Sequence, residues 1–311
     1  MNEKRLLLLC IAAGAVVALL VVVADSRTPT TSSTATVKPS STPAPIVSPT
    51  PTPTHTFSTQ KIVKFGSSGT PAEFLALMKD MTIDVIEMQS GTYRGWHHLD
   101  IDVDRTVRPL LVRPAAGATV TFDDAGGTSN HGLFYLGLGG YTSDIAFDST
   151  GTGGIYVIQN YAIRDTALIW GGWQHNIKFA GFRVRDITGA AGGMTSHVVF
   201  VSTDGIHAPS TLEFSDFDIA LSGQLVSALQ IWDTAAQGVI AKRFTVSGCH
   251  WGFVGRSAAI GVEIEGWTIS NCAISFDSQG PAGIVRQVHA TTSGPPIIES
   301  PMVDGGGNDW Q

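Results

Sequence analysis

The chain has 311 residues, a net charge of −7 and no basic cluster, which argues against a nucleic-acid partner. Its 35 Gly residues and abundant Val, Ile and Thr point to short strands and tight turns. No His-x-x-x-His or Cys-x-x-Cys spacing occurs, so no structural zinc site is expected.

Residues Leu6 to Ala24 form an unbroken apolar run preceded by Lys4 and Arg5 and followed by Asp25. As a helix the run would reach about 28 Å, close to the hydrocarbon thickness of a bilayer. The flanking charges favour a cytoplasmic N-terminus and export of the rest. The first domain, residues 1–25, is therefore expected to be a membrane anchor. A signal peptide cleaved after Ala24 remains the alternative, which would give a secreted product. Residues 26–59 are dominated by Thr, Ser and Pro. Such a segment cannot bury enough surface to offset the entropy of ordering, and reads as a disordered stalk, extended by its prolines.

Residues 60–311 form the third domain. One helix signal stands at its start: Thr70 as N-cap, Pro71 in the first turn and Glu73 completing a capping box. Phe74, Leu77, Met78 and Met81 then share a face. The remainder repeats four apolar residues at i, i+2, i+5 and i+7. The copies are Tyr156/Ile158/Tyr161/Ile163, Ile177/Phe179/Phe182/Val184, Leu212/Phe214/Phe217/Ile219, Val239/Ala241/Phe244/Val246 and Val262/Ile264/Trp267/Ile269. Each i, i+2 pair is strand alternation, and the three-residue step between pairs requires a bend that keeps facing the core. Repeats of this length without intervening helices read as a solenoid of parallel coils. Phe182, Phe217, Phe244 and Trp267 are then expected in one inward column, with Cys249 and Cys272 on adjacent coils as stacked buried thiols in preference to a bridge.

This pattern, with the Ile83 to Gly95 segment IDVIEMQSGTYRG, resembles the pectate-lyase-like superfamily. The resemblance implies an all-β, right-handed single-stranded parallel β-helix, with Pro71 to Met81 as a short capping helix over its open end. It does not select a function, since that superfamily includes lyases, hydrolases, esterases and adhesins.

The segment VFVSTDGIHAPS, Val199 to Ser210, contains Ser202-Thr203-Asp204-Gly205, similar to the catalytic Asn-Thr-Asp-Gly of polygalacturonases. That resemblance implies a catalytic Asp204, with Asp233 on the next coil as the second carboxyl group. The rest of the polygalacturonase set departs. Asp123-Asp124 lies upstream, His250 stands in Gly-Cys-His-Trp-Gly, and Lys242-Arg243 does not match the basic motif. A Thr-Asp-Gly turn closing a strand is the alternative.

His207, Trp232, Arg256 and Asp277 fall at similar places on successive coils and are the expected carbohydrate contacts, with Trp170, Trp173 and Trp251 extending the groove. Arg164/Arg185 and Asp165/Asp186 occupy matching repeat positions, either as a solvated ion-pair ladder or as a calcium or anionic-sugar site. No other metal or cofactor is expected. The sequence thus reads as a cell-surface β-helix that binds polysaccharide, with a polysaccharide lyase or glycosidase as the alternative.

Overall fold

A step of three residues between two strand pairs demands one residue that turns the chain without leaving the core. In the computed structural model that residue adopts the left-handed conformation. Gly181, Asp216, Arg243, Gly266 and Gln287 all have φ between 51° and 77° at the corner between the first and second strands of successive coils. The structure describes residues 60–125, 131–164, 166–189, 196–202, 207–232, 236–256, 259–298 and 302–311, with the backbone alone at 223 and 224. The expected membrane span and stalk lie outside these residues. Among the described residues no helix is long and apolar enough to cross a membrane.

Each coil contributes to three parallel sheets. The first sheet runs through Ile62–Phe65, Val85–Met88, Leu110–Pro114 and Thr142–Asp148, then the opening halves of Gln174–Arg185 and Ser210–Ile231, and on through Gln237–Lys242, Ile260–Glu265, Ala282–Arg286 and Met302–Asp304. The second begins at Gly91–Arg94 and ends at Asp309–Trp310. The third begins at Leu99–Ile101 and ends at Ile297–Ile298. Every named pairing is parallel, as a β-helix requires, and the right hand is the one expected of parallel connections.

Two further columns of left-handed residues turn the other corners. Asp144, Asn176, Thr211, Gly238 and Gly261 mark entry into the first sheet, and Asn160, Asp186, Gly248, Asn271 and Thr292 mark the exit from the second.

The inward column expected from the sequence is present. Phe182–Phe217, Phe217–Phe244 and Phe244–Trp267 ring centroids lie 5.3, 4.9 and 4.3 Å apart, with near-parallel planes. Tyr156 continues the column, 4.7 Å from Phe182. Tyr156 therefore belongs to the second sheet, and the first copy of the repeat stands one pair out of register. Its true partners in the first sheet are Ile145 and Phe147, paired with Ile177 and Phe179. The turn at residues 149–154 separates the two strands of that coil and hides the five-residue spacing. Arg164 consequently does not stack on Arg185, which pairs with Gln159. Asp186 is a corner residue beside Asn160, and Asp165 lies outside the described residues.

The capping helix spans Pro71–Lys79, with the Thr70/Glu73 capping box formed. It buries Phe74 and Met78 completely, while Leu75 and Leu77 pack at the margin. The helix ends before Met81, which is 40% exposed, because the Asp80 N–H closes the last turn on Ala76 and Leu77 carbonyls. Arg105, fully buried, donates to the carbonyls of Met78, Asp80 and Ile83 and so ties the end of the helix to the solenoid. Arg108 grips Asp84 through two bonds of 2.6 and 2.8 Å, which holds that carboxyl down at about 2. Cys249 and Cys272 are buried free thiols on adjacent coils. The hydrogen bond to Cys272, with burial, pushes the Cys249 thiol up.

Phe217→Ala would open a gap in the middle of the aromatic column. The expected cost is about 3–5 kcal/mol, read as a lower urea midpoint. A loss under about 1 kcal/mol would mean that the column does not carry the core.

Candidate functional site

The outer faces of the three sheets differ in chemistry. On the first sheet, outward positions on consecutive coils alternate in charge: Lys64, Glu87, Arg113 and Asp148, and later Lys242, Glu265 and Arg286. Arg113–Glu87, Lys242–Glu265 and Arg286–Glu265 pair at 3.4, 3.4 and 3.1 Å. Such partly exposed pairs contribute about 0–1 kcal/mol each and make a solvated, self-satisfied surface.

The third sheet is different. Its outward row reads Asp100, Tyr135, Trp170, Phe200, Gln230, Val254 and Asp277 on consecutive coils. Their neighbours in the strands, such as Phe134, Leu136, Ile169 and Val199, point to the core, so alternation sets these on the outside. The rings touch in file. His98 stacks on Tyr135 at 4.3 Å, Tyr135 lies 5.8 Å from Trp170, and Trp170 lies 5.3 Å from Phe200. Tyr135 is buried, but Trp170 and Phe200 are partly exposed. The Trp170 Nε1–H donates to Ser202 Oγ at 3.3 Å.

A second aromatic file runs along the corner from the third sheet back to the first. Tyr141 and Trp173 are 5.0 Å apart, and Trp173 and His207 stack at 3.6 Å with planes 8° apart. All three are partly exposed. Between the two files the chain passes through Gly137 and Gly172. At Gly137 φ is +66°, and a Cβ would sit 2.0 Å from the Trp173 carbonyl oxygen, so no side chain can stand there. Beside them Leu138 is 41% exposed and fills the space over Gly172.

Of the residues singled out from sequence, His207 and Trp232 lie at this corner, and Trp232 is 47% exposed. Arg256 follows Trp232 by one coil but is engaged: its guanidinium grips the buried Asp277 carboxylate in a two-pronged pair at 2.8 and 2.5 Å. Trp170 and Trp173 stand in the two files, while Trp251 is buried. Asp204 and Asp233 lie outside the described residues. Among the described residues no group of three or more His, Cys, Asp or Glu is placed to hold a metal ion.

Sequence reasoning missed Tyr135, Tyr141, Phe200 and His197. Tyr135, Phe200 and His197 become neighbours only through the register of the third sheet, and Tyr141 through its contact with Trp173 at the adjoining corner. His197 is buried against Phe200 at 4.6 Å, and its Nδ1 bonds Ser227 Oγ at 2.7 Å. Burial pushes its pKa down to about 4. A groove of about 640 Å³ lies elsewhere, between the 149–154 turn and Arg183, Asp216 and Asp218. Its acids are committed to Arg243 and Arg185, so it offers less chemistry than the aromatic face.

No family model matches the chain, and no curated protein does. Among solved structures it is similar to an iota-carrageenase complexed to iota-carrageenan fragments, at 13% identity over 75% of this chain and 57% of that one, with a TM-score of 0.38. It is also similar to the catalytic domain of an α-1,3-glucanase in complex with nigerose, at 12% identity over 81% of this chain and 69% of that one, with a TM-score of 0.22. The chain thus spans little more than half of the carrageenase. At these TM-scores neither likeness carries an argument about what this chain binds.

The buried His197 gives the site a pH signature. Its folded-state pKa lies below the unfolded value, so the unfolded chain takes up the extra proton as pH falls from about 6.5 to about 4. Stability should be full above that window and fall through it. His197→Asn should flatten this slope of urea midpoint against pH, and an unchanged slope would assign it to other groups.

Proposed function

We propose that this chain is a cell-surface module that binds polysaccharide along the outer face of its third sheet. The observation that carries the reading is the double file of partly exposed rings, Trp170 and Phe200 on the face and Tyr141, Trp173 and His207 at its edge. Apolar ring faces pack against the C–H faces of sugars while polar groups at the margin take the hydroxyls. Successive coils repeat about every 4.8 Å, so rings in register offer a chain of sugars several footholds. The exposed Trp232 lies beside Ser202 and Arg256 on the same edge and adds another.

Cleavage is the second reading, and one observation favours it. Ser202, which accepts the Trp170 bond, opens the Ser-Thr-Asp-Gly segment that resembles the polygalacturonase motif. Hydrolysis there would use Asp204 and Asp233 as the carboxyl pair. Lyase chemistry with calcium is a further form of the same reading. A glycan panel on the full chain, read both for binding and for release of reducing or unsaturated ends, separates the two. Binding without release selects the module.

If the rings bind sugar, Trp170→Ala and Trp173→Ala should each weaken binding by about tenfold or more. Arg113→Ala, on the first sheet, should leave it unchanged. Full affinity in both tryptophan variants would move the site off this face.

Anchoring through Leu6 to Ala24, with residues 26–59 as a stalk, would hold the β-helix outside the cytoplasm. The expectation is a full-length chain in the membrane fraction that resists carbonate extraction. A soluble product starting at Asp25 would establish cleavage and secretion instead.

A further inference from the structure

We infer that the polysaccharide taken by the third sheet is uncharged, an inference that rests on the glycan-binding reading above. The observation is the distribution of cations. Every Lys or Arg that lies in a strand lies in the first or second sheet: Lys64, Arg113, Lys178, Lys242 and Arg286 in one, Arg94, Arg183 and Arg185 in the other. No strand that contributes to the third sheet contains either residue.

The cations in the connections do not fill the gap. Arg256 spends both terminal nitrogens on Asp277. Arg105 is buried on the capping helix, and Arg108 is bonded to Asp84. Arg164 stands two residues before the strand Thr166–Gly171, at the opposite end from Trp173. The segments 126–130, 190–195, 203–206, 233–235 and 257–258, which adjoin third-sheet strands, contain no Lys or Arg in their sequence. Acids, by contrast, are present on this face and beside it. Asp100 stands exposed in the outward row, Asp102 follows it at the strand end, and Asp124 lies 3.7 Å from His97 at the neighbouring corner.

A uronate or sulfated chain laid on such a face would lose hydration from each anionic group without gaining a guanidinium or ammonium partner. It would also meet carboxylates of like sign. A neutral chain loses nothing of the kind, and its hydroxyls can donate to the same carboxylates. The face therefore selects by charge as well as by ring stacking. It also follows that cleavage, if it occurs, is hydrolysis, because β-elimination needs a carboxylate on the sugar that this face does not favour.

The test uses the full chain and matched polymers: dextran against dextran sulfate, hydroxyethylcellulose against carboxymethylcellulose, and neutral xylan against polygalacturonate. Measurement at about pH 8 keeps histidine uncharged. At least one neutral polymer should bind, and its anionic counterpart should bind about tenfold more weakly or worse, with added salt narrowing the difference. Asp100→Lys, an exposed change on the same row, should also narrow it. Equal or tighter binding of the anionic forms, weakening as salt rises, would overturn the charge selection while leaving glycan binding intact. A difference that ignores both salt and Asp100→Lys would overturn charge as its cause. Failure of every polymer to bind would remove the glycan reading and this inference together.

Discussion

A chain that stacks on itself coil after coil must turn its corners at the same places each time, and one backbone conformation does this here. At most corners a single residue takes positive φ, and successive coils place these residues one above another. Ten of those named above are not glycine. For most L-residues the left-handed region is costly, about 1–2 kcal/mol each, with Asn and Asp the more tolerant. Thr211, Arg243 and Gln287 sit there without that tolerance. Strain of this sort persists where the surroundings over-determine the backbone, and parallel strands flanking every corner supply that. Once the corners coincide, like residues fall on like, and the phenylalanine column and the charge ladder follow from the same register.

The register also explains which parts of the molecule could be read from sequence. Leu212, Phe214, Phe217 and Ile219 announce two strands and a corner because the corner there is as short as it can be. Where the turn at 149–154 intervenes, the same geometry is spelled Ile145, Phe147, Tyr156, Ile158, and the spacing no longer betrays it. The third sheet left little periodic trace beyond Phe253 over Phe276. Its strands pair on either side of Leu168, Val198, Ala228, Gly252 and Ser275 but not at them, so apolar residues run consecutively instead of alternating. Tyr135, Trp170 and Phe200, spaced 35 and 30 residues apart in sequence, become neighbours only when that sheet is in register. His207 and Trp232 were legible because large polar or aromatic residues at coil ends are informative without exact alignment. Arg256 and Asp277 were each expected as sugar contacts, and their mutual bond could not be read from spacing.

The three faces divide the requirements of a solenoid among themselves. The first sheet meets water with alternating charges that satisfy one another and leave little for a ligand. The second carries small hydroxyl residues such as Thr245, Thr268 and Thr291 in its later coils. The third carries the partly exposed rings of Trp170 and Phe200 among buried neighbours, and the glycan-binding proposal rests on them. The capping helix and Arg105 protect the first coil, where an open end would otherwise present unpaired backbone and apolar core to water.

The stacked left-handed corners have a consequence for how such a face can change over time. Because neighbouring coils interact mainly with each other, a whole coil can in principle be gained or lost without rebuilding the rest, provided its corners keep their left-handed residues. Each such event would add or remove one rung from both aromatic files at once. On the proposed reading, the length of ligand gripped would be counted in coils, and a lineage could lengthen its reach along a polymer by duplication before any single contact had to be invented.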